Sequence, residues 1–156
     1  FSVGSGNFVQ LDSTYGTINF DPGFTFDVGF GKYIGDKTRL ELLYERQDSY
    51  GWKFWSVNVR DHTRSDSAVL SYLYDFKNDS KWTPYIGPSI GTAWVSNGGE
   101  TASSFAYGVQ AGISYKLDNT KDLIFKLSHI RATRLDYAYT WITNGGYTSA
   151  RVGIRF

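Results

Sequence analysis

The chain contains no cysteine, which excludes a disulfide scaffold and a thiolate metal site while leaving the compartment open. Long apolar runs are missing too. Stretches such as AVL or LIF break almost at once, whereas a membrane-spanning helix needs about 20 mostly apolar residues. Charge of one sign is scarce: 16 Lys and Arg stand against 15 Asp and Glu, so no global field points to nucleic acid. A basic stretch followed by an apolar segment is not visible after Phe1, so an exported protein is expected here in a mature or trimmed form. Only three prolines occur, but glycine (17 residues) and aromatics (18%) are plentiful, which suggests many turns and close backbone approaches rather than disorder. A length of 156 residues implies one domain, 1–156.

What is present is period two. In FTFDVGFGKY, Phe24, Phe26, Val28 and Phe30 share a face opposite Thr25, Asp27, Gly29 and Gly31. RLELLYERQ sets Leu40, Leu42 and Tyr44 against Arg39, Glu41, Leu43 and Glu45. SAVLSYLYDF, YIGPSIGTAW, FAYGVQAGISYKL and LIFKLSHIR alternate in the same way, and TSARVGIRF closes the chain with Val152, Ile154 and Phe156 opposite Arg151, Gly153 and Arg155. NFVQLD is a shorter, weaker case. The count is about eight strands, most near the 9 to 11 residues that a tilted strand needs to cross a bilayer.

The connections alternate as well. IGDKT (34–38), KNDSKWT (77–83) and LDNTKD (117–122) read as three short turns. YGTINFDPG, DSYGWKFWSVNVRDHTRSD, VSNGGETASS and ATRLDYAYTWITNGG read as four longer loops. Short turns at one end and long loops at the other predict an all-β, antiparallel, up-and-down barrel with distinct ends.

Alternation alone does not say which face looks inward. An oily interior makes a soluble lipocalin-like carrier; an oily exterior makes a transmembrane barrel. The polar face is thinned by glycines, as the narrow bore of an eight-stranded barrel requires. Aromatics gather at two levels of the oily face, as interfacial girdles do: Tyr72, Tyr74, Phe76, Tyr115 and Phe156 near the turns, and Phe24, Tyr44, Trp94 and Phe105 near the loops. The expectation is a membrane barrel whose lumen holds Asp27, Arg39, Glu41, Glu45, Lys126, Arg151 and Arg155. Asp27, Glu41 and Glu45 are expected to pair with the four cations, because unpaired charges in a tight bore are costly. A salt-bridged filler is expected rather than a conducting pore.

The segment YLYDFKNDSKWTPYIGPSIGTAWV resembles the central hairpin of the opacity-protein family, in which a YDF end, a short turn and a PYIG-type start follow one another. NFVQLD is similar to the first strand of neisserial surface protein A and its relatives. The resemblance implies an eight-stranded barrel of the bacterial outer membrane with periplasmic termini. It also implies a surface or adhesion role. Phe156, ending an alternating strand, resembles the signal by which such barrels are handed to the barrel assembly machinery. Outer-membrane lipids and lipopolysaccharide are then surroundings or partners, and the barrel is expected to be a monomer.

Catalytic sets are sparse. Two histidines without cysteine make a metal site improbable, and no cofactor is expected. The lipid A deacylases are barrels of similar size in which a His-x-Ser pair faces the lipid. SHIRAT places His129 well for that role, but Arg131 stands where the serine belongs, and arginine cannot be acylated. Ser128 points to the opposite face. No enzyme activity is therefore expected; the two basic side chains instead suit outer headgroup phosphates. In the loops, Trp52, Phe54, Trp55 and Arg60, with Tyr137, Tyr139 and Trp141, exceed what hairpin extensions need. Aromatics with arginine are typical binding anchors. They suggest a cleft for a host receptor, a glycan or an apolar ligand, on a backbone of strands that continue beyond the membrane. The alternatives are a membrane barrel without a ligand, a deacylase-like lipid hydrolase, and the soluble carrier.

Overall fold

Segments that alternate between small or polar and large apolar residues satisfy their backbones by pairing, and a ring of such segments leaves no edge. The computed structural model has this form. It describes the backbone except at residues 1, 14–15, 21–22, 55–56, 98–99, 134 and 137–140, and side chains within 23–48, 64–96, 101–133 and 146–156. The strands are β1 (Ser2–Ser13), β2 (Gly16–Phe20), β3 (Gly23–Tyr33), β4 (Thr38–Phe54), β5 (Val57–Asp75), β6 (Trp82–Asn97), β7 (Glu100–Lys116), β8 (Asp122–Ala132), β9 (Leu135–Asp136) and β10 (Trp141–Arg155). Eight long strands, β1, β3 to β8 and β10, form an antiparallel ring closed by the pairing of β1 with β10. The short β2 and β9 are side branches: β2 pairs with β1 and β4 near their outer ends, and β9 pairs with β10.

The connections differ from the sequence-based expectation at the loop end. β4 and β5 stay paired as far as Phe54 and Val57, with an irregularity between Tyr50 and Trp52. Much of the long connection 48–66 is therefore a hairpin that continues both strands, the backbone expected for it, so the departure lies elsewhere at this end. The expected loop 95–104 is largely strand instead, paired out to Asn97 and Glu100. Loop 15–23 contains β2, and β10 begins at Trp141, seven residues before the alternation of 148–156.

At the other end the turns are short and locally bonded. Ile34 N donates to Thr38 O at 3.0 Å. Asn78 Oδ1 accepts from Ser80 N at 2.8 Å. Asp118 Oδ1 accepts from Thr120 N (2.7 Å), Thr120 Oγ1 (2.9 Å) and Lys121 N (2.8 Å). The Thr120 amide and hydroxyl, then the Lys121 amide, hold the Asp118 carboxyl below its ordinary pKa.

The orientation of the two faces is unambiguous. Phe30 is 82% exposed and Leu127 53%, whereas Asp27 is 1% and Arg151 2% exposed. The oily face is outside, so the soluble-carrier reading fails. Inside, the wall curves tightly enough to bring neighbouring backbones against inward Cβ positions. A Cβ at Gly87 would lie 1.8 Å from the Tyr72 carbonyl oxygen, and one at Gly91 would lie 2.0 Å from that of Ala68. Only glycine fits there.

The bore is less polar than expected. Leu43, Val69, Ala93, Ala106, Ile130 and Tyr147 pack into one buried cluster, and Leu73, Tyr85 and Ile124 into a second. Each is an inward residue, and β5 and β8 contribute to both clusters, through Val69 and Leu73 and through Ile130 and Ile124. They seal the space that the glycines and serines leave.

Candidate functional site

Strand alternation delivers the lumen charges to one interior, and the cross-barrel register decides which of them meet. At the turn end, Asp75 accepts from the Arg39 guanidinium and from Tyr33 OH, the latter at 2.7 Å. Arg39 also lies 3.5 Å from Glu41 and stacks over the Tyr85 ring, 4.5 Å from its centroid. Glu41 is 3.5 Å from Lys126 Nζ, which is 3.1 Å from Asp27. Asp27 is 2.7 Å from Arg151, and Arg151 pairs in turn with Glu45. Glu45 accepts from Tyr147 OH at 2.8 Å, and Arg151 donates to Ser128 Oγ at 2.5 Å. The result is a continuous ionic chain that ties β3, β4, β5, β8 and β10 across the bore. Buried charges of this kind are tolerable only when each has its partner.

Six of the seven expected lumen residues, Asp27, Arg39, Glu41, Glu45, Lys126 and Arg151, meet in this chain. Arg155 does not join it. It pairs with its cross-strand neighbour Asp122, Nη2 to Oδ2 at 2.5 Å and Nε to Oδ2 at 3.1 Å, instead of with Asp27, Glu41 or Glu45. Asp75, Asp122 and Tyr147 are participants that the sequence reading missed. The parity of Asp75 on the polar face was the available signal; the other two needed the register. A cavity of about 1160 Å³ remains at the turn end, lined by Asp27, Glu41, Lys126 and Arg155 together with residues of the second and third turns.

The outer wall carries the two aromatic levels. Near the turns, Tyr74 and Phe76 meet edge to face at 5.1 Å, and Trp82 contacts Tyr115 at 4.5 Å. Trp82 was read as a turn residue but opens β6. Phe156 is 84% exposed, with Lys121 Nζ 5.9 Å from its ring centroid. Near the loops, Phe105 stacks with Tyr107 at 6.4 Å. At that level Arg46 pairs with Asp66 at 2.7 Å, and Arg64 lies 3.5 Å from Asp48.

His129 is on the outer wall, with Nδ1 2.9 Å from Thr148 Oγ1. Ser128 faces the lumen, bonded to Ser149 at 2.9 Å as well as to Arg151, so the two do not form a dyad. Among the described residues no group of three or more His, Asp or Glu is arranged to hold a metal ion.

Of the loop residues singled out, Trp52 and Phe54 lie in β4, Arg60 in β5 and Trp141 in β10, where only the backbone is described. Trp52 pairs in register with Val59, and Trp141 with Asp136. Trp55, Tyr137 and Tyr139 lie outside the described residues.

Comparison with known proteins agrees with this architecture. The family model described as surface antigen matches residues 22–126. Protein opa of Haemophilus influenzae is 29% identical over 101 residues, 60% of this chain and 67% of that protein. The crystal structure of Neisserial surface protein A superposes with a TM-score of 0.72 at 23% identity, covering 99% of this chain and 94% of that one. Ail, the attachment invasion locus protein of Yersinia pestis, in complex with the heparin analogue sucrose octasulfate, superposes with a TM-score of 0.53 at 13% identity, covering 99% and 96%. This chain, with its oily exterior, filled bore and eight long strands, belongs to the opacity-type surface-antigen family of bacterial outer-membrane β-barrels.

Proposed function

We propose that the barrel is a closed, monomeric scaffold and that its outer strand extensions bind a host receptor or an extracellular glycan. The observation that carries this reading is the division of the molecule. Charges and apolar side chains fill the bore, while β4 and β5 run on as a paired hairpin to Phe54 and Val57. A filled bore leaves solute passage little room, and a hairpin that outruns the membrane has no use in spanning it. That hairpin carries Trp52, Phe54, Trp55 and Arg60, residue types that dominate binding hot spots. Tyr137, Tyr139 and Trp141 belong to the last outer connection and the start of β10. A sulfated glycan is a natural first probe, since the Ail relative carries a heparin analogue.

The test replaces Trp52, Trp55 and Trp141 together with alanine. Heat-modifiable folding is expected to persist, while binding of cells or refolded protein to a heparin, glycan and receptor panel is lost. Unchanged binding across the panel refutes the reading. Against a hydrolase, Arg131 follows His129 where a nucleophile is required and Ser128 is engaged in the lumen.

A further inference from the structure

We propose that the outer edge of β5 is a docking strand to which an extended segment of a partner protein adds as a further strand. The proposal rests on the reading that the outer extensions carry binding, and it names the class of partner. Pairing between β5 and β6 ends at Arg64 and Ser96, and β6 itself ends at Asn97. β5 runs on outward to Val57, paired with β4. Segment 57–63 therefore has no strand on its second side among the described residues, roughly 20 Å of open edge at about 3.3 Å per residue. β4 differs: at the same height β2 covers its far side, with Phe20 opposite Trp52 and Ile18 opposite Phe54. β7 also outruns its pairing with β8, but there Thr133 N donates to Phe105 O, the Thr133 and Ser104 hydroxyls meet at 2.7 Å, and β9 lies against the strand.

Open N–H and C=O groups along an edge are a template for another chain, and proteins with no use for one blunt it with lysine, proline or a bulge, or cover it. Segment 57–63, VNVRDHT, has neither lysine nor proline, and its two valines favour pairing. Its irregularity, where Tyr50 meets His62 and Trp52 meets Val59, sets Arg60 and Asp61 opposite Gly51. Beyond it, 57–59 return to regular register with 52–54.

Directly opposed residues share a face of a sheet. In the extension formed by β2, β4 and β5, Ile18, Phe54 and Val57 make one row and Phe20, Trp52 and Val59 another, while Asn19, Lys53 and Asn58 make a row on the opposite face. A strand added beside β5 continues these rows, so it matches best with apolar residues beside Val57 and Val59. Charge completes the specification. Segment 48–64 carries Lys53, Arg60, His62 and Arg64 against Asp48 and Asp61, and Asp48 already lies 3.5 Å from Arg64. Carboxylates at the intervening positions of the partner complement that excess. Strand addition draws its affinity from main-chain bonds and its specificity from alternate side chains, so the partner is a polypeptide with a short apolar–acidic alternation. A glycan cannot supply such a strand.

The experiment selects a displayed random heptapeptide library against the whole chain refolded into phosphatidylcholine nanodiscs, and measures the enriched sequences as synthetic peptides by fluorescence anisotropy. Enriched peptides are expected to alternate apolar with acidic residues. N-methylation of one alternate set of their backbone nitrogens removes main-chain donors while keeping side chains and charge; it is expected to weaken binding by about tenfold or more, and methylation of the other set far less. V59K is expected to weaken binding to a similar degree, with a heat-dependent gel shift confirming its fold; the N-methyl arm needs no variant. Enriched peptides without alternation, no weakening by either methylated set, or equal binding to V59K overturns the proposal. A dimer of the embedded chain that V59K abolishes, with no peptide enriched, assigns the edge to a second copy and overturns it as well. The tryptophan triple variant reads the broader proposal separately: where it loses panel binding and no alternating peptide is enriched, the edge alone fails.

Discussion

Arg151 is the residue on which the lumen network is most exposed to a single change. It is 2% exposed, stands 2.7 Å from Asp27, pairs with Glu45 and donates to Ser128. In R151M the apolar volume is roughly kept while the cation disappears. Asp27 retains Lys126 at 3.1 Å, but Glu45 is left with hydroxyl donors alone, Tyr147 at 2.8 Å and Ser67 at 3.5 Å. Removing one member of a buried pair costs about 3–5 kcal/mol, because the remaining charge is uncompensated. That is a large share of the roughly 5–15 kcal/mol by which domains are usually stable. Adding E45Q removes the stranded charge, so the double variant is expected to regain most of the loss. Urea unfolding in lipid vesicles, followed by tryptophan fluorescence and the heat-dependent gel shift, measures both. A loss below about 1 kcal/mol for R151M, or a double variant no better than the single, refutes a partner-dependent ionic chain.

Three further outcomes follow from the same structure. G91A places a methyl group 2.0 Å from the Ala68 carbonyl oxygen and is expected to reduce folded yield by an overpacking penalty of about 1–3 kcal/mol or more, read as the folded fraction on unheated gels. L127R puts a charge on the acyl-facing wall near mid-strand and is expected to cost about 2–4 kcal/mol in vesicle unfolding, whereas a water-facing position would register almost nothing. Planar-bilayer recordings are expected to show no stable unitary openings, since Leu43, Val69, Ile130 and Tyr147 close the bore beside the ionic chain; discrete, reproducible steps contradict this.

Much of the architecture was legible because strand parity is a local property. Asp27, Glu45 and Arg151 fall on one face, and Phe26, Val28 and Val152 on the other, whatever the rest of the chain does. Glycines on the polar face and aromatics at two levels of the oily face were enough to turn that alternation inside out. The loop end was harder to read. In the 48–66 connection the alternation pointed to strands that run on, and β4 and β5 do pair out to Phe54 and Val57; the irregularity between Tyr50 and Trp52 was not readable from residue types. VSNGGETASS, rich in glycine and small polar residues, read as a longer loop, although its flanks are paired out to Asn97 and Glu100.

The sequence by itself determined the class: alternation, a narrow bore and a membrane-facing exterior follow from residue types and their spacing. Only the tertiary structure decided the partners. Arg155 takes Asp122, Arg39 takes Asp75, and Arg151 takes Asp27 and Glu45, because closing a tilted sheet into a barrel slides each strand against the next by an amount that no single strand encodes.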